Sequence, residues 1–152
     1  MNSQESRCLI AGPPSGDHLR LKVVEITPEG QEGGGDFSLS VSVTCNGFTA
    51  TDCGCWIASY DFADFLIALR SFEASRVGRA TLESMSPGIF IYTITSSSPT
   101  RWPVITGTVT GPYLGCGRGF RSQLNFAFTL DSSFVVQLLR DFERLVPNSR
   151  DA

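Results

Sequence analysis

The clearest hydrophobic pattern in the chain is an alternation over residues 37–45. In FSLSVSVTC every second residue, from Phe37 to Cys45, is apolar, and a serine or threonine lies between each pair. This period of two predicts a strand with one buried face. Asn46-Gly47 follows directly, and this pair favours a type I′ turn because both turn residues need a positive φ. We therefore predict a hairpin whose second strand begins at Phe48.

The period changes to that of a helix over residues 60–75. Apolar residues recur there three or four positions apart, which places them on one face of a helix. They are Phe62, Phe65, Leu66, Leu69 and Phe72. Ser59 or Asp61 can cap the start of this helix.

A second helical stripe lies near the end of the chain, between a polar cap at residues 131–133 and Pro147. Its apolar residues are Val135, Leu138, Leu139, Phe142, Leu145 and Val146. The two predicted helices contain similar segments, LRSFE at 69–73 and LRDFE at 139–143. A faint internal duplication would explain this similarity, and so would the common composition of helices.

The remaining apolar runs predict strands separated by turn formers. They cover residues 19–26, 79–85, 88–96, 102–110 and 123–130. Helix stripes and one-sided strands need each other for burial, so we predict one α+β domain over residues 19–147. Its largely antiparallel sheet would have about six or seven strands, with two helices packed on one face. Residues 1–18, rich in turn formers, are predicted to be a flexible N-terminal arm, and residues 148–152 a C-terminal tail.

Cys53-Gly54-Cys55 is the one stretch that resembles a metal or redox centre. The simple hairpin register would place Asp52 on the core face, which is unfavourable unless the carboxylate is paired. One possibility is that the hairpin is solvent-exposed there and both thiols face outward. The other is that a bulge near Asp52–Gly54 turns Cys53, Cys55 and Ile57 inward. Neither arrangement favours a disulfide, because residues two apart in a strand have Cα atoms about 6.5–7 Å apart, beyond the usual 5.5–6 Å.

Composition and charge exclude several other classes of function. The net charge of −3 argues against nucleic-acid binding but is compatible with a basic protein partner. Zinc would need further ligands from Cys45, Cys116 or His18, which have no metal-ligand spacing. His18 is the single histidine, and it lies in the predicted arm, which argues against a Ser-His or Cys-His catalytic pair. The glycine-rich run at 115–119 precedes a strand rather than opening a helix, which argues against a dinucleotide-binding motif. We therefore expect no catalytic residues, no metal and no cofactor.

The N-terminal sequence has no pattern of a signal peptide, and no stretch is apolar enough for a membrane span. We therefore expect a cytoplasmic protein with free thiols that does not contact a membrane.

Interface-type residues cluster in two loop regions away from the core stripes. Trp, Tyr and Arg are the residues most enriched at binding hot spots. The candidate partner-binding residues are Arg101, Trp102, Tyr113, Arg118, Phe120 and Arg121. Alternatively, Trp102 and Phe120 cover the core and the arginines are solvated.

As an ordered whole, residues 39–146 resemble the WapI-type immunity proteins and related uncharacterised bacterial domains. The likeness lies in the hairpin ending at NGF, then SYDFADFLIALRSF, GRATLESM and LNFAFTLDSSFVVQLLRDFERL. The matching positions are Tyr60, Phe62, Phe65, Leu66, Leu69, Leu82, Ser84, Phe126, Phe128, Leu130, Leu138 and Phe142. The resemblance implies a non-enzymatic protein that binds a bacterial toxin domain, often a nuclease, and blocks it. A ligand-binding or structural domain is the alternative.

Overall fold

The computed structural model describes residues 8–11, 16–111 and 122–146. In chain order the elements are β1 (Cys8–Ala11), β2 (His18–Ile26), β3 (Phe37–Cys45), β4 (Phe48–Ile57), α1 (Ser59–Ser75), β5 (Gly78–Glu83), β6 (Phe90–Ser96), β7 (Val104–Thr110), β8 (Gln123–Thr129), a 3-10 turn (Ser132–Phe134) and α2 (Val135–Leu145).

The strands of the described residues form two four-stranded antiparallel sheets, with orders β1-β2-β3-β4 and β5-β6-β7-β8. The predicted α+β class, the antiparallel pairing and the two helices are confirmed. The strands divide between two sheets, whereas one sheet was predicted. Each strand pairs with its neighbour in sequence, and α1 interrupts this series, so β5 begins a second sheet.

The order of four strands followed by a helix therefore occurs twice. LRSFE lies in α1 and LRDFE in α2, which supports the explanation of an internal duplication. α1 packs along β5, the first strand of the second unit, and α2 contacts β1, the first strand of the first unit. Each helix thus lies beside the opposite unit.

Aromatic residues of both helices join the two sheets in one core. Phe62 on α1 contacts Phe37 of β3 edge to face, with ring centroids 5.1 Å apart. Phe65 contacts Tyr92 of β6 at 5.9 Å and Phe142 of α2 at 4.9 Å. The predicted apolar stripe of α1 is buried throughout. Residues 90–92, a run of three apolar residues, lie in β6, which is an inner strand of its sheet.

The N-terminal region differs from the prediction of a flexible arm. Cys8–Ala11 form β1, which pairs with β2 in antiparallel register. A run of four residues is too short to show an alternating pattern, so the surrounding glycines and prolines dominated the prediction. Residues 1–7 and 12–15, like the predicted tail at 148–152, lie outside the described residues. Neither helix of the described chain has the length and apolar content that a membrane-spanning helix requires.

Candidate functional site

The hairpin of β3 and β4 contains the bulge that the sequence offered as one of two alternatives. Asn46-Gly47 forms the turn, with φ of 52° and 80°. The register shifts between Val43 and Val41, and Asp52 adopts the left-handed conformation there, with φ of 52°. Its N–H donates to the Ser42 hydroxyl at 3.0 Å, and this bond holds the bulge.

The bulge turns the two thiols into the core, the second of the two arrangements that the sequence offered. Cys53 and Cys55 are 3% and 8% exposed. Burial raises the pKa of Cys55 to about 12, with a smaller contribution from the neighbouring Cys53. Burial, followed by the charge of Asp52, also raises the pKa of Cys53. Both thiols therefore stay protonated at neutral pH and pack as small apolar groups. Among the described residues, no group of three or more His, Cys, Asp or Glu side chains could hold a metal ion.

Two of the six predicted partner-binding residues lie among the described residues. Arg101 and Trp102 lie in the connection between β6 and β7, and Trp102 is 55% exposed. Tyr113, Arg118, Phe120 and Arg121 lie outside the described residues.

The two ends of that second region are described, and they lie far from Trp102. The Gly111 N–H donates to the Ser122 carbonyl at 2.6 Å. β7 runs between Pro103 and Gly111, and a strand of this length spans about 20 Å. Gly111 and Ser122 therefore lie at the opposite end of the second sheet from Trp102.

A groove lies between α1 and β5. Arg76 ends α1 with a left-handed φ of 60°, and Gly78 follows with φ of 100°. These two residues reverse the chain, so β5 returns along the helix. The groove has a volume of about 650 Å³. It is lined by Asp61, Asp64, Phe65, Ala68, Thr81, Glu83, Ser84 and Pro87.

Four large apolar side chains are exposed on α1, near the end of β4 and just after β5. They are Trp56, Tyr60, Ile67 and Met85, with exposed fractions of 40%, 70%, 63% and 51%. The Met85 N–H donates to the Trp56 carbonyl at 2.8 Å, so these two residues are adjacent. Tyr60 and Ile67 are seven residues apart on α1, which places them on one face of the helix. We call the groove and these four residues the α1–β5 surface.

The charged groups that line the groove are all carboxylates. Asp61 and Asp64 lie one turn apart on α1, and Glu83 lies on β5. Among the described residues, these three form no ion pair: the recorded ion pairs are Arg70–Glu143 and Arg76–Glu73. Both walls of the groove therefore carry negative charge.

Sequence reasoning missed this surface, although part of its signal was visible. Tyr60 and Ile67 are large apolar residues that lie off the buried stripe of α1, and this alone marks an unusual outer face. The groove residues come from two elements, and only the packing of α1 on β5 brings them together.

Comparisons with known proteins found little. No family model matches the chain, and no curated protein matches it. A crystal structure of MRP1/MRP2 from Trypanosoma bruciei is similar over 93% of this chain and 83% of that chain, with 13% identity and a TM-score of 0.49. A similarity of this degree carries no information about function.

Proposed function

We propose that the protein is a non-enzymatic immunity-type protein, which binds a bacterial toxin domain through the α1–β5 surface and blocks it by occlusion. The class of partner rests on the resemblance of residues 39–146 to WapI-type immunity proteins. The observation that carries a binding role is the exposure of Trp56, Tyr60, Ile67 and Met85 on the elements that form or adjoin the groove.

Exposed apolar side chains grouped in this way are typical of interaction surfaces, because scattered single residues are normal on a monomer and contiguous patches are not. Trp and Tyr are also the residues that most often act as hot spots in an interface. Here Trp56 and Tyr60 lie next to a concave surface that can accept a projecting segment of a partner.

The described chemistry fits binding better than turnover. Burial keeps Cys53 and Cys55 protonated, so neither is an activated nucleophile. His18 is the single histidine of the chain, and its Nδ1 lies 2.8 Å from the Gly16 carbonyl, to which it donates in the matching tautomer. Inhibition by occupancy requires one molecule of this protein for each toxin molecule.

The test is a titration with the toxin domain encoded by the neighbouring gene. The toxin should lose its activity completely at one equivalent of this protein. Complete protection far below one equivalent would contradict occlusion, and the absence of any complex with that domain would contradict the immunity role.

Two tryptophans provide a matched test of the surface. Trp56→Ala should weaken binding by about 1–3 kcal/mol, as expected for a hot spot, with no loss of folding. Trp102→Ala removes an exposed tryptophan from the region that the sequence favoured, and it should change binding by less than about 0.5 kcal/mol. The reverse result would move the interface to Arg101 and Trp102 and leave the immunity role intact.

A further inference from the structure

We infer that the groove of the α1–β5 surface binds a basic segment of the partner protein, with lysine or arginine side chains between its two walls. This inference rests on the proposed function for the existence of a protein partner, and it adds the chemistry by which that partner is recognised.

The positions of the carboxylates favour a cation inside the groove. Asp61 and Asp64 line one wall and Glu83 the other, so a positive charge between the walls would have a carboxylate on both sides. None of the three is neutralised by an ion pair among the described residues. A bound cation would also relieve the repulsion between Asp61 and Asp64, which are three residues apart on a helix.

The apolar part of the lining fits the long stems of the same side chains. Ala68, which is half-buried, and Pro87, which is exposed, lie beside the carboxylates. Lysine and arginine bury their aliphatic stems against apolar surface and keep the charged end near polar groups. A small inorganic cation has no aliphatic group that could pack against this apolar surface.

The outer rim supplies the remaining contacts. Tyr60 is 70% exposed, and it is adjacent in sequence to Asp61, so its ring can contact a guanidinium group that pairs with the carboxylate. The volume of about 650 Å³ lies within the range of about 300–1,000 Å³ that holds a drug-sized ligand. A groove of this size accommodates several side chains of a bound segment.

Two triple variants with the same change of net charge test this inference. The groove variant is Asp61→Asn, Asp64→Asn and Glu83→Gln. The control variant is Glu25→Gln, Glu32→Gln and Asp141→Asn, whose carboxylates lie outside the groove. Each variant moves the net charge from −3 to 0, so they differ only in position.

The readout is the dissociation constant for the toxin domain, measured at several salt concentrations. The groove variant should bind at least tenfold more weakly than the wild type near physiological salt, and its affinity should depend less on salt. The control variant should stay within threefold of the wild type. Equal losses of affinity in both variants, or no loss in the groove variant, would overturn the inference. Formation of the complex with the wild type would still uphold the proposed function.

A second measurement tests the groove without any toxin. The probe is a hexa-arginine peptide at low salt, followed by amide chemical shifts of the labelled protein, with hexa-glutamate as the negative control. Shift changes should concentrate at residues 60–68 and 81–87 and disappear in the groove variant. Changes spread over all acidic surfaces, or unchanged in the groove variant, would overturn the inference even if no toxin partner is found.

Discussion

The hydroxyl of Tyr92 is buried without a hydrogen-bond partner among the described residues, and we predict that Tyr92→Phe stabilises the protein. Tyr92 is 0% exposed, and its hydroxyl has no partner there. Phenylalanine keeps the ring contacts with Phe65 and with Phe142, whose centroids lie 5.9 and 5.5 Å away. The variant removes only the polar atom.

The magnitude follows from the desolvation of that atom. A buried polar group without a partner costs about 1–3 kcal/mol, so Tyr92→Phe should raise the free energy of unfolding by about that amount at pH 7. Burial also raises the pKa of Tyr92 above its ordinary value of 10.0. The unfolded chain then loses this proton first, and the wild type loses stability as the pH rises above 10. At pH 10.5 this adds about 0.8 kcal/mol to the advantage of the variant.

The assay is urea denaturation of both proteins at pH 7 and pH 10.5. Tyr60→Phe is the control, because Tyr60 is 70% exposed and its hydroxyl is solvated, so the change should stay within about 0.5 kcal/mol. The buried thiols also titrate at alkaline pH, but they are present in all three proteins and cancel in the difference. If Tyr92→Phe lowered the stability by more than about 1 kcal/mol, the hydroxyl would have a partner and this reasoning would fail.

Three further predictions concern the core and the bulge. Leu69→Ala should lower the free energy of unfolding by about 2–5 kcal/mol, because Leu69 is fully buried. Leu139→Ala should lower it by less, because Leu139 is half-buried. If urea denaturation showed a loss below about 0.5 kcal/mol for both variants, this packing would be refuted. Cys53 and Cys55 should resist a colorimetric thiol reagent at pH 8 in the native protein and react after denaturation; rapid native reaction would contradict their burial. Asp52→Val should cost about 1–3 kcal/mol in the same denaturation assay, because a β-branched residue is strained at positive φ; an unchanged midpoint would show that the bulge is absent.

The alternating and helical patterns predicted most elements, because they report local burial. The stripe of α1 and the alternation of β3 both appear as predicted. The bulge was also foreseeable, since the simple hairpin register would have buried the carboxylate of Asp52. In the structure the Asp52 carboxylate accepts a hydrogen bond from the Ser40 hydroxyl, and the Asp52 N–H donates to the Ser42 hydroxyl.

The division into two sheets was not predictable from these patterns, because a one-sided strand shows that it has a buried face but not which strand lies beside it. The groove had the same difficulty. Glu83 is nineteen positions after Asp64, and only the tight reversal at Arg76–Gly78 makes them neighbours. The candidate partner-binding residues were chosen by composition, which does not show which residues lie together in space; they are Arg101, Trp102, Tyr113, Arg118, Phe120 and Arg121.

Hydrogen exchange of the complex with the toxin domain shows whether the α1–β5 surface binds the partner. Amide exchange is compared for this protein alone and with one equivalent of the toxin domain. Our account predicts slower exchange in the first turns of α1 and in residues 83–88, which border the groove, and unchanged exchange at residues 97–103. Protection confined to residues 97–103, with none beside the groove, would contradict the claim that the α1–β5 surface binds the partner.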